Sequence, residues 1–148
     1  MPRPPAHAAD AFPDVNVWLA LVHAGHPHHG AARRWWAERG SGQVWFCRVT
    51  MLGLIRLLAQ PRVMGEGVLS AAAAVAVYSQ LSEWPGVGLL PEPAGCEAEY
   101  CRLVDAGLPA RLLTDAYLAA FAHTAGLRLV TFDSDFARFD RLARLSLN

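Results

Sequence analysis

Apolar residues along this chain fall into two rhythms. Short apolar runs occur around residues 11–15, at "QVWFC" (43–47), at "VGLL" (87–90) and at "LRLVTF" (127–132). Each is too short for a helix that must bury a face, and each is predicted as a strand. Between them the apolar positions take helical spacing. "HHGAARRWWAERG" (28–40) places Ala32, Trp35, Trp36 and Arg39 near one face and stops at Gly40. "VTMLGLIRLLAQP" (49–61) is predicted helical as far as Pro61. Ser70 suits the N-cap of "AAAAVAVYSQLSEW", with Pro85 just beyond it. "CEAEYCRLVDAG" is expected to end at Gly107, and Thr114 to cap "DAYLAAFAHTAG", which ends at Gly126.

Strands alternating with helices imply a mostly parallel sheet covered on both faces, since parallel neighbours need crossover connections. The chain has 148 residues, a length that suits one α/β domain over residues 11–148. Residues 1–10, "MPRPPAHAAD", are expected to form a flexible lead.

Composition narrows the class. Hydrophobic residues make up 53% and charged residues 18%, which excludes a disordered chain. Thirteen basic residues balance thirteen acids, so bulk charge does not drive binding to nucleic acid. Every basic residue is arginine, whose planar guanidinium suits phosphate. Cys47, Cys96 and Cys101 have no metal-like spacing, and a reducing cytoplasm is expected. The apolar stretch "SAAAAVAVYSQL" is too short to cross a membrane.

The chemistry lies in the acids. In an open parallel sheet, ligands bind outside the carboxyl ends of the strands. Asp14 and Asn16 end the first strand, and Asp133 and Asp135 end the fourth. Asp115 opens the helix that leads into that fourth strand, which puts it on the same edge. Each has a plainer reading. Asp115 suits a helix N-terminus, Asp133 and Asp135 suit a turn, and Asn16 suits a helix cap or an orienter of Asp14 or water. Together, such acids raise one another's pKa unless a hard cation such as Mg²⁺ or Mn²⁺ offsets them. Carboxylates around a cation and its water suit phosphodiester hydrolysis.

These residues, in this order, carry a family resemblance. "DVNVWLAL", "HPHHGAARRWW", "FCRVTMLGLIRLLAQPRVMG" and "LTDAYLAAFAHTAGLRLVTFDSDFARF" resemble PIN-domain ribonucleases, and among them VapC toxins, from about residue 11 to residue 142. The resemblance implies a three-layer α/β/α sandwich and Mg²⁺- or Mn²⁺-dependent cleavage of RNA, often tRNA or ribosomal RNA. It also implies a homodimer and a cognate VapB-like antitoxin. Carried over, Asp14 and Asp115 match the two principal metal-binding acids. Asp133 matches a further acid with Thr131 beside it, Asp135 a supporting or water-mediated contributor, and Arg56 a phosphate-binding base. The chain departs at Gly53, where most members carry a glutamate, and no acid lies between Cys47 and Pro61.

Gly53 leaves a rival open: a PIN module that binds RNA or antitoxin with weak cleavage or none. An aspartyl phosphotransfer receiver fits less well, because no second acid adjoins Asp14 and the chain has no lysine for an acyl phosphate. His23, His26, His28 and His29 are read as solvated or capping side chains rather than zinc ligands. Trp35 and Trp36 are read as packing rather than base-stacking residues, and Cys47 as core. Arg33, Arg34 and Arg39 are read as a solvated face or as contacts for RNA or antitoxin. Arg138, Arg141 and Arg144 are read as steering RNA or as a solvated C-terminal segment.

Overall fold

In the computed structural model, which describes residues 10–148, five strands pair entirely in parallel. They are β1 (Ala11–Pro13), β2 (Val44–Phe46), β3 (Val87–Leu89), β4 (Arg128–Thr131) and β5 (Arg144–Ser146), and their order across the sheet is β3-β2-β1-β4-β5. Seven α-helices among the described residues surround them: α1 (Val15–Val22), α2 (His29–Glu38), α3 (Arg48–Leu58), α4 (Pro61–Met64), α5 (Ala71–Ser82), α6 (Cys96–Leu103) and α7 (Leu113–Ala125).

Alternation within the strands builds the layers. Phe12, Trp45 and Leu129 point to one face, where they join Cys96 of α6 and Ala116, Ala119, Ala120 and Phe121 of α7. Ala11, Val44, Phe46 and Val130 point to the other, against Trp18 of α1, Trp35 of α2, Leu54 of α3 and Leu81 of α5. Ring stacking pins each layer. Phe12 lies 5.0 Å from Phe121, and Trp18 lies 3.8 Å from Phe46. The expected three-layer α/β/α sandwich is therefore present, and Trp35 and Cys47 are core as read from the sequence.

Several details differ from the sequence expectation. β5 is a fifth strand in the segment read as solvated, because only Leu145 of its three residues turns inward. α6 stops at Leu103, short of Gly107, and Thr114 lies inside α7 without capping it. Ser70 does cap α5, accepting from the Ala73 N–H at 3.1 Å, and Gly126 ends α7 in the left-handed conformation.

The flexible lead expected at residues 1–10 lies outside the described residues except for Asp10, which is firmly held. The buried Asp10 carboxylate accepts from the Gln43 N–H at 3.1 Å and from the Trp45 indole N–H at 3.2 Å. Asp10→Ala would remove the carboxylate that both N–H groups use. It is expected to cost about 2 kcal/mol, read as a lowered urea midpoint with an unchanged m-value.

The strand order turns back at β1, where β2 lies on one side and β4 on the other. Such a reversal opens a crevice at the carboxyl ends of the two strands concerned. Pro13 has no N–H to give, and β1 pairs with β2 only at Ala11–Val44. The chain then leaves the sheet at Asp14.

Candidate active site at the carboxyl edge of the sheet

Asp14 sits at the reversal, 5% exposed, between the end of β1 and the start of α1. Asp14 itself, not Asn16, caps α1: its Oδ1 accepts from the Val17 N–H at 3.1 Å. Its Oδ2 accepts from the Thr131 hydroxyl at the end of β4. The same Thr131 Oγ1 accepts the Asp133 N–H at 2.9 Å, and Asp133 Oδ1 accepts the Asp135 N–H at 2.8 Å. One chain of hydrogen bonds thus joins the two strand ends and fixes Asp14 relative to Asp133. Asp135 is drawn off by Arg111, whose guanidinium lies 2.8 Å from its Oδ2.

Asp115 enters from the first turn of α7, half-buried. Burial pushes its carboxyl up to about 6, and the nearby charges of Asp133, Asp14 and Asp135 push the same way against Arg111. Asp14 is also pushed up to about 6, chiefly by burial, with Asp133 adding repulsion while Thr131 and the Val17 N–H pull down. The acids therefore feel one another across the edge of the sheet. They do not form a closed cage: among the described residues, no three Asp, Glu, His or Cys side chains converge as ready metal ligands. Mg²⁺ commonly takes one or two carboxylates and completes its shell with water and phosphate, so an open carboxylate set suits it. Two carboxyls held this far from their ordinary ionisation are relieved by a nearby divalent charge. The residues present fit such an ion.

Asn16 is exposed and lies beside Asp14 in the wall of the cleft, whose volume is about 430 Å³. Arg56 is exposed on α3 and is ion-paired to no acid among the described residues. Neither Arg56 nor Asp115 lines that cleft.

Gly53 has a steric reason for being glycine. A Cβ built there would come within 2.8 Å of Val15 Cγ2, so α1 and α3 pack through the space a side chain would need. A glutamate at this position requires the Val15 side chain or one of the two helices to shift. Gly53→Ala should gain about 1 kcal/mol of helix propensity and lose about 1–3 kcal/mol to overpacking, for a net loss near 1 kcal/mol. Adding Val15→Ala should recover the overpacking part, and thermal unfolding of the double-mutant cycle checks it.

The histidines keep the solvated or capping roles read from the sequence, with His28 exposed and His26 Nδ1 accepting the His28 N–H. His26 and His28 also border the same cleft as Asp14, Asn16, Phe132 and Asp133. After the eight residues of α1, the turn through residues 23–28 brings His26 and His28 to the carboxylate edge. His29 is anchored elsewhere, its Nδ1 lying 2.6 Å from the Ala20 carbonyl.

Comparison with known proteins agrees with this geometry. The PIN domain family matches residues 11–142. Ribonuclease VapC41 of Mycobacterium tuberculosis is 39% identical over 132 residues, which cover 85% of this chain and 90% of that protein. Ribonuclease VapC33 of the same organism is 31% identical, with 86% and 91% covered. Among solved structures, the Mycobacterium tuberculosis toxin VapC20, described as sarcin–ricin-loop cleaving, superposes with a TM-score of 0.64 at 28% identity, over 86% of this chain and 92% of that one. VapBC-1 from nontypeable Haemophilus influenzae reaches a TM-score of 0.68 over 93% and 98%, and at 17% identity it speaks for the fold alone. The carboxylate edge, the sheet order and these likenesses agree: this chain belongs to the PIN-domain family and, within it, to the VapC ribonuclease group.

Proposed function

We propose that this protein is a divalent-metal-dependent endoribonuclease, acting as the toxin of a type II toxin–antitoxin pair. One observation carries the reading: a buried carboxylate, Asp14, is locked through Thr131 to Asp133 at the strand reversal while Asp115 faces both electrostatically. Similarity to proteins named as VapC ribonucleases supplies the substrate class.

In this reading Asp14, Asp115 and Asp133 hold Mg²⁺ or Mn²⁺. Bound there, the ion supplies an acidified water and a positive charge against the phosphoryl oxygens. The protein supplies placement. Asp14, with both oxygens already accepting hydrogen bonds, keeps one orientation throughout, and Thr131 transmits that orientation to the Asp133 backbone. Asn16 orients Asp14 or an attacking water in the cleft. Asp135, paired with Arg111, supports the site through its charge and backbone. Arg56 meets a substrate phosphate along α3. Attack by water with the 3′-oxygen leaving, as the family resemblance implies, would give a 5′-phosphate and a 3′-hydroxyl.

The partners follow from the same reading: an RNA, with tRNA and ribosomal RNA the first classes to test, a VapB-like antitoxin and a second copy of the chain. No helix among the described residues is long and apolar enough to cross a membrane, which is compatible with work in the cytoplasm.

The test is incubation of the purified protein, freed of any antitoxin, with total cellular RNA in Mg²⁺, Mn²⁺ or EDTA. Discrete fragments that need the metal support the proposal. A folded protein that leaves a broad RNA set intact in either metal overturns it in favour of the non-cleaving module, with Gly53 as the cause.

A further inference from the structure

The cleft beside Asp14 has an aromatic wall that the carboxylate chemistry does not use. Phe132 follows Thr131 directly and packs against the core on the α1 side of the sheet. His28 lies on it, ring centroids 4.3 Å apart and planes within 16°. His26 stands behind, 5.7 Å from His28 and 6.5 Å from Phe132. The His28 ring is thus supported on one side, while the residue as a whole is exposed.

Its neighbours hold it there. The His28 N–H donates to His26 Nδ1 at 3.0 Å, which closes the turn through Pro27. The next residue, His29, reaches the Ala20 carbonyl and fastens the start of α2 to α1. Three histidines therefore have three tasks: His26 closes the turn, His29 anchors it and His28 presents a ring. A merely solvated histidine needs neither a parallel partner nor this bracing. Holding a flat ring before the ligand arrives removes an ordering cost from binding.

We propose that His28, laid on Phe132, is a stacking platform for a nucleobase of single-stranded RNA next to the carboxylates. Unpaired bases are held in this way on flat side chains, with little dependence on which base it is. A phosphate at this ring would face the Asp14 and Asp133 carboxylates across the cleft, whereas an uncharged base does not. The platform rests on the nuclease reading only for its choice of RNA as ligand. It fixes the base flanking the scissile bond and so sets which phosphodiester reaches Asp14.

The test separates the two claims. A short single-stranded oligoribonucleotide carrying 2-aminopurine, walked through successive positions, is titrated in EDTA so that binding is read without cleavage. Wild-type protein is expected to quench the probe at one or two positions. His28→Ala should weaken binding about tenfold and abolish the quench, whereas His28→Phe, which keeps the flat ring but no ring nitrogen, should retain both. Equal binding and quenching by His28→Ala overturns the platform, as does the absence of any quench with the wild type. Loss in His28→Phe equal to that in His28→Ala also overturns it and assigns the ring a polar contact. If His28→Ala weakens capture of an antitoxin peptide and leaves RNA binding intact, the surface belongs to the antitoxin and the platform is wrong. RNA left uncut by wild type in Mn²⁺, with His28-dependent quenching preserved, removes the nuclease reading and keeps the platform.

Discussion

Asp14→Asn is expected to lose cleavage by on the order of a hundredfold or more and, in EDTA near pH 8, to unfold at a higher temperature than the wild type. The pairing of these effects is what matters. The folded chain raises the Asp14 carboxyl from its ordinary 3.8 to about 6, mainly because the carboxylate is buried. Below pH 3.8 both folded and unfolded chains keep the proton, and the stability tied to this group is fully present. Between that pH and about 6 the unfolded chain has released its proton while the folded chain still holds it. Stability therefore falls as pH rises through this window. A rise of about two pKa units corresponds to about 3 kcal/mol lost by neutral pH.

Asparagine removes that penalty and keeps the helix cap. Its Oδ1 still accepts from the Val17 N–H, while its amide reverses the bond to Thr131, donating to an Oγ1 that also accepts the Asp133 N–H and costing part of the gain. A gain of about 2 kcal/mol, roughly 5 °C or more in Tm, is expected for a chain of this size. If Asp14 were only a helix cap, Tm would still rise but cleavage would be nearly unchanged. A variant that is inactive and also less stable would contradict the reading of Asp14 as a strained functional acid.

The second large effect is metal stabilisation that depends on pH. Asp14 and Asp115 both ionise near pH 6, so at pH 5 protons occupy the groups that would hold a cation. At pH 8 those groups are free and mutually repulsive. Mn²⁺ should raise the wild-type Tm little at pH 5 and by several degrees at pH 8. At a hundredfold excess over its Kd, a cation that binds only the folded chain adds about 2.7 kcal/mol. Proton release on binding should be measurable between pH 5 and 6, because the ion displaces protons the folded state has retained. Asp14→Asn and Asp115→Asn should each lose most of the increment. Asp115 is more open to solvent than Asp14, so its share is the smaller one. An equal Tm increment at both pH values would place the cation away from these acids.

The sequence reached some residues and missed others for physical reasons. Asp14, Asp115 and Asp133 fall on one edge by sequence pattern alone, because the alternation of strands and helices dictates parallel strands and parallel strands share a carboxyl edge. Thr131 came from the resemblance, and its physical role as the bridge from Asp14 to the Asp133 backbone came from the structure. β5 was hidden because a three-residue edge strand with one inward side chain has no period to detect. Val15 against Gly53 was hidden because contact between two helices depends on their approach, which spacing along one chain does not fix. His28 was hidden for the same reason. Its partner Phe132 is far away in sequence, and the two rings meet only in the folded chain.

The chemistry of the RNA ends distinguishes carboxylate from imidazole catalysis. Asp14 and Asp133 share one cleft with the imidazoles of His26 and His28, so two chemistries have to be told apart. Hydrolysis by water with the 3′-oxygen leaving, the chemistry a cation held by the carboxylates would support, would give a 5′-phosphate and a 3′-hydroxyl. Attack by the RNA's own 2′-hydroxyl, assisted by imidazoles and needing no metal, leaves a 2′,3′-cyclic phosphate and a 5′-hydroxyl. Fragments made in Mn²⁺ are expected to be ligatable through a 5′-phosphate, to vanish in EDTA and to be absent with Asp14→Asn. Cyclic-phosphate ends that persist in EDTA and survive Asp14→Asn would move the chemistry to the histidines and leave the carboxylate edge without its proposed role.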